Sequence, residues 1–157
     1  MPLISWGVFI FAGGGIDAME KLTIGEVENV VLLPWGLRIP ARIDTGAATS
    51  SLDARELKIK DGIAEFKLPP QCGDILVRVP VLGWKEIRSS EAHERRPVVE
   101  LDVCLGPRRM HIRVNLNDRS RVKYPLILGR NVLKENFVVD CNRLNCLEPS
   151  CPEVSPK

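Results

Sequence analysis

Turn formers cut this sequence into short apolar runs, and most of those runs repeat every second residue. Ile75–Leu82 alternates, and so does Val98–Leu105, where Val99, Leu101, Val103 and Leu105 share one face. Gly106-Pro107 turns the chain into Met110–Leu116, where Met110, Ile112, Val114 and Leu116 again lie together. A period of two sends successive side chains to opposite faces, as a strand does; a helix repeats every 3.6 residues. Asp61-Gly62, set between Leu57–Lys60 and Ile63–Leu68, is a strong hairpin signal. Leu22–Leu33 reads as a strand rich in Val, Ile and Leu, broken by Pro34 and Gly36, and Leu37–Ile43 as a second. Tyr124–Leu128 is short and wholly apolar, which suits burial on both faces. Asn131–Asn136 has room for one or two helical turns before Phe137–Asp140 returns as a strand. The total is about nine short strands and one short helix, an all-β barrel or sandwich. Twelve Pro and twelve Gly in 157 residues agree with short strands rather than long helices.

Size and charge narrow the class further. The length and the 45% hydrophobic content are those of one soluble domain with its own core. A formal net charge of +2 points to neither nucleic acid nor an anionic membrane. Five cysteines (Cys72, Cys104, Cys141, Cys146 and Cys151) are an odd number, so at least one has no partner in the chain, and a reducing cytoplasm is the expected location. The apolar run Leu3–Ala12 is too short to span a bilayer and lacks the preceding basic residue of a signal peptide. Residues 1–20 therefore read as a disordered extension, with Met19 near the natural start. The folded domain is expected over 21–147, with a flexible tail over 148–157 that carries Pro149, Pro152 and Pro156.

The chemistry sits where Leu37–Ile43 ends, in Asp44-Thr45-Gly46-Ala47. Such a triplet alone is a weak signal, because Asp and Gly also make ordinary turns. Its context is stronger. Leu126-Ile127-Leu128-Gly129-Arg130-Asn131 lies some eighty residues downstream, with two apolar residues and a Gly ahead of a short helix.

Together these segments resemble the retropepsins, the single-domain aspartic proteases typified by retroviral enzymes. They are more similar still to a bacterial retropepsin-like family, often labelled ATP-dependent zinc proteases and linked to ATP-grasp ligases. The residues that carry the resemblance are Ile43–Ala54, Glu94–Gly106, Leu116–Leu133 and Phe137–Asp140, within about residues 22 to 141. The resemblance implies a small closed or partly closed acid-protease barrel with one short helix after the Ile-Leu-Gly-Arg motif. It also implies a homodimer, since one triplet supplies one catalytic carboxylate and the second Asp44 comes from another copy. Thr45 would bond across the twofold axis, Gly46 would donate its amide to the carboxylate, and Gly129 would allow close packing behind the loop. Ala47, Ala48, Gly129 and Arg130 would border bound peptide.

The residue pattern itself makes chemical sense of this. Two carboxylates about 3 Å apart cannot both ionise, so they share a proton and serve as base and acid in one site. One departure stands out: retroviral members carry an acidic residue where this chain has Ala48, so Arg130 needs another partner, Asp53 or Asp140, or faces solvent. A lid is expected over Gly83–Pro97, which is charged and lacks a run of glycines.

No cofactor or metal is expected. His93 and His111 are the two histidines, without a His-Glu-x-x-His motif, and Cys141, Cys146 and Cys151 lack paired structural-zinc spacing, reading as incidental thiols or a disulfide. No nucleotide motif appears, so any ATP dependence would belong to a partner such as an ATP-grasp ligase system. Arg108, Arg109, Arg119, Arg121 and Lys123 read as a solvated face, with no interleaved aromatics for RNA. The expected activity is an aspartic endopeptidase acting on peptide or protein. The alternative is a retropepsin-fold binding or adaptor module that cuts poorly.

Overall fold

The computed structural model describes residues 20–88, 93–118 and 123–154. Its strands are β1 (Leu22–Ile24), β2 (Val27–Leu33), β3 (Leu37–Ile43), β4 (Ser50–Asp53), β5 (Arg55–Lys60), β6 (Ile63–Lys67), β7 (Leu76–Pro80), β8 (Gly83–Arg88), β9 (His93–Leu105), β10 (Arg108–Asn117), β11 (Leu126–Leu128) and β12 (Phe137–Val139). One α-helical turn, α1 (Arg130–Leu133), precedes β12.

Six strands close on themselves in the order β10-β4-β11-β3-β2-β9, because β9 also pairs with β10. The barrel is all-β and of the retropepsin type, and the one α-helical turn among the described residues comes directly after the Ile-Leu-Gly motif. Closure follows from the alternation. Val99, Leu101, Val103 and Leu105 of β9 face Ile112, Val114 and Leu116 of β10 inside the barrel, where β3 adds Ile39, Ala41 and Ile43 and β11 adds Leu126 and Leu128. All of these are at most 6% exposed, so each large side chain contributes about 1.5–3 kcal/mol of burial.

Two smaller sheets flank the barrel. In the sheet β5-β6-β7, the Asp61-Gly62 turn has φ of 53° and 75°, as a two-residue hairpin turn requires. β1 and β12 form a parallel pair, with Leu22 beside Phe137. β8 extends the barrel sheet beyond β9, so Gly83–Arg88 and the start of β9 make a hairpin where the lid was expected. Residues 89–92 lie outside the described residues, as do Met19 and the rest of the expected extension up to residue 19.

The structure differs from the sequence reading in several places. Leu22–Leu33 is two strands in two sheets, because the backbone is taken up elsewhere at Gly25 and Glu26: the Gly25 amide donates to the Glu28 carboxylate and the Glu26 amide to the Arg143 carbonyl. β4 and β8 went unrecognised; β4 is a four-residue Ser-Ser-Leu-Asp strand with no apolar repeat to mark it. The helix starts one residue early and stops at Leu133, leaving Asn136 to bond the Val132 carbonyl through its side chain.

The segment from Glu148 that looked like a flexible tail is docked as far as the structure describes it. Residues 140–154 form a strap over the barrel's outer face. Cys151 is buried and disulfide-bonded to Cys104 of β9, and the Ser150 amide donates to the Gly106 carbonyl at 2.8 Å. With Val154, the bridge covers Val31 and Leu33, outward-facing apolar residues of β2 that water would otherwise reach. Cys141 and Cys146 stay free thiols, so of the three clustered cysteines only Cys151 is bridged.

Candidate active site

β3 delivers Asp44. With Ile39, Ala41 and Ile43 turned into the core, strand alternation turns Arg42 and Asp44 to the other face. The Asp44 amide continues the ladder by donating to the Leu128 carbonyl at 2.9 Å. The chain then leaves the sheet in a tight loop. The Gly46 amide donates to Asp44 Oδ1 at 3.0 Å and the Ala47 amide to the Asp44 carbonyl at 3.2 Å. Asp44 is half-buried while Thr45, Gly46 and Ala48 are exposed, so the carboxylate is oriented by its own loop yet open on one side.

The second motif forms the cradle. Amides of Arg130 and Asn131 donate to the carbonyls of Ala47 and Ala48, at 2.8 and 3.3 Å. This close approach demands glycine at position 129, since a Cβ there would sit 2.3 Å from the Thr49 carbonyl oxygen and 2.7 Å from that of Ala47. The Gly129 amide donates to Ser50 Oγ at 3.0 Å, and that hydroxyl donates to Asn131 Oδ1 at 2.7 Å. Asn131 Nδ2 reaches the Arg113 carbonyl, while Asn115 Nδ2 donates to the Ser50 carbonyl and Ser51 Oγ to Asn115 Oδ1. Ser50, Ser51 and Asn115 are buried, so the network fixes the loop's exit in a water-poor setting where each bond counts for more.

The structure thus brings Asp44, Thr45, Gly46, Ala47, Ala48, Gly129 and Arg130 together. Arg130 is exposed, and its Nη1 donates to the Thr45 carbonyl at 2.9 Å. Of the two acids considered as its partners, Asp53 is paired with Arg55 and Asp140 with Arg143. Sequence reasoning missed Ser50, Ser51, Asn115 and Asn131 as supports. Asn115, a lone amide inside the apolar run of β10, was a visible signal; Ser50, Ser51 and Asn131 stand among other polar residues and become meaningful only once the strands are neighbours. Elsewhere, His93 lies 3.7 Å from Glu86 and His111 pairs with Asp102. Among the described residues no group of three His, Cys, Asp or Glu side chains is placed to hold a metal ion.

Residues 71–147 match the family model for the retropepsin-like aspartic endopeptidase RimB. A solved structure of a protein of unknown function from Legionella pneumophila shares 31% identity and superposes with a TM-score of 0.70, covering 81% of this chain and 98% of that one. The chain belongs to the RimB-like family. The matched segment holds Gly129 and Arg130 but begins after Asp44, so RimB-like membership speaks to the fold more directly than to the carboxylate. Two proteins named probable alpha-L-glutamate ligases are also similar. The one from Parasynechococcus marenigrum is 31% identical over 131 residues, 77% of this chain and 28% of that protein; the one from Shewanella halifaxensis is 30% identical over 138 residues, 82% and 30%. The RimB-like chain therefore spans under a third of each of these relatives.

Proposed function

We propose that this RimB-like chain is one half of an aspartic endopeptidase, completed by a second copy across a twofold axis. The observation that carries the reading is Asp44 itself. Its carboxylate stands open at the end of a barrel strand, in a loop that its own backbone and the Gly129 cradle hold rigid. Rigid placement is what acid–base catalysis needs from a scaffold. With one such loop per chain, two copies bring two Asp44 carboxylates to a shared proton. The ionised member takes a proton from water as that water attacks the peptide carbonyl. The protonated member donates to the carbonyl oxygen, and proton transfer to the leaving nitrogen then breaks the C–N bond. The β8–β9 hairpin serves as the lid. A ligase of the kind its relatives are named for is the proposed neighbour, which makes glutamate-containing peptide the substrate class.

A second reading is a peptide-binding adaptor of the same fold. It is favoured by Ala48, exposed where retroviral enzymes keep an acidic residue, and by Arg130 spending its guanidinium on the Thr45 carbonyl. The two part at Asp44→Asn. A peptide-library digest between about pH 4 and pH 8 should show cleavage by the native chain that falls about 10²–10⁴-fold in the variant. Sedimentation should show a dimer of both. Cleavage that survives the substitution unchanged removes Asp44 from the chemistry, and a native chain that binds peptide without cutting it establishes the adaptor.

A further inference from the structure

Arg42 stands one strand step from Asp44 and shares its face of β3. In the adjacent parallel strand β11, Ile127 is in register with Arg42, its side chain turned away from the core that takes Leu126 and Leu128. The surface leading to the carboxylate is therefore an arginine, an isoleucine and Asp44. Among the described residues seven arginines, Arg38, Arg55, Arg78, Arg88, Arg96, Arg109 and Arg143, each pair with a carboxylate. Arg42 is exposed, and among the described residues its guanidinium has no ion-pair or hydrogen-bond partner. It is a planar, permanently charged fork with its donors unspent, fixed to a rigid strand beside the proposed reacting centre.

We propose that Arg42 is a specificity-determining residue of this cleft, taking the side-chain carboxylate of the substrate residue that flanks the scissile bond. The assignment rests on the two-subunit reading above. Under twofold symmetry the partner subunit's Arg42 stands beside the second Asp44, so both residues flanking the cut are selected for negative charge. A bidentate guanidinium–carboxylate pair is stronger and more directional than a neutral hydrogen bond, and an amide in place of the acid loses most of it.

The test separates recognition from cutting. Peptides differing only in Glu or Gln on both sides of the scissile bond are bound to the Asp44→Asn protein, which holds substrate without turnover. The acidic peptide should bind about tenfold more tightly or better, since hydrogen bonds to charged groups are each stronger than neutral ones. Adding Arg42→Gln should bring the ratio near one, and Arg42→Lys should keep part of it because the charge remains without the fork. A Glu-to-Gln ratio unchanged by Arg42→Gln overturns the assignment, as does failure of either peptide to bind. Cutting is read separately on the native chain: a ratio that depends on Arg42, with no cutting at all, sinks the peptidase reading and keeps Arg42 as a recognition residue.

Discussion

The loop from Asp44 to Thr49 and the strap from residue 140 to residue 154 are both irregular chain laid on one barrel. The loop is held by backbone against backbone: carbonyls of Ala47 and Ala48 receive amides from the start of α1, and Gly129 lets the two segments touch. The strap has backbone bonds too, from Asp140, Asn145 and Ser150 to Ile24, Val27 and Gly106 and from Glu26 to Arg143, but adds side-chain clamps from far away in the sequence. Buried Glu28 accepts the amides of Cys146 and Leu147 at 2.8 and 3.1 Å, from 118 and 119 residues away. Cys104 is bonded to Cys151 across 47 residues, while Arg38 and Arg109 pair with Glu148 and Glu153. A backbone clamp tolerates almost no change of shape, as a site placing a reacting group requires. The strap's bonds are spread along fifteen residues and its side-chain contacts can come apart one at a time. The strap is accordingly the region expected to open locally, and the loop the region expected to open only with the whole fold.

The largest effect should come from Gly129→Ala. The new methyl meets two backbone oxygens that cannot swing aside, so the cost should be about 3 kcal/mol or more. Urea unfolding would measure it, with the slope unchanged if the fold stays two-state. A cost below about 1 kcal/mol would mean that the loop yields, and the contrast with the strap would fail.

Glu28→Ala should cost nearly as much, about 2–3 kcal/mol, because it strands the buried amide of Gly25 and the half-buried amides of Cys146 and Leu147. Cys151→Ser should cost about 2 kcal/mol, at the low end for a native disulfide because surrounding contacts remain. If the strap leaves as a unit, the double variant should cost clearly less than the sum of the two, since the second change acts on chain already released. Strict additivity would show two independent segments instead of one strap.

The same contrast explains what could be read from the sequence. The barrel was legible because alternation in β9 and β10 is a local pattern, visible within ten residues. The Asp44–Gly129 pairing was legible because close backbone approach forces particular residue types onto both segments. The strap was not. A lone Glu at position 28 inside an apolar strand gives no hint that two amides more than a hundred residues on will need it, and five cysteines leave the pairing open. Arg42 lay between: a charge in an apolar strand is visible, but that it has no partner is knowledge only the fold supplies.

The smallest effects are differences of rate among the thiols, and they test local opening directly. Cys141 is exposed and should react with an alkylating agent at once. Cys72 is 4% exposed in the main core, and its thiol is pushed above the usual range, first by burial and then by the charge of Asp53, against a smaller opposing influence from Arg55. A raised thiol holds less of the reactive thiolate at any given pH, so its labelling should be slow and should climb as pH rises toward the shifted value. After mild reduction, Cys151 becomes a third kind of thiol: buried like Cys72, but at the end of a strap rather than inside a barrel. If the strap opens locally, Cys151 should label well before Cys72, at a rate that small amounts of urea barely change, because local opening exposes little surface. Cys72 should follow global unfolding and accelerate steeply with urea. Mass spectrometry of the labelled protein over time distinguishes these outcomes. Equal rates and equal urea dependence for Cys151 and Cys72 would show that strap and barrel open as one.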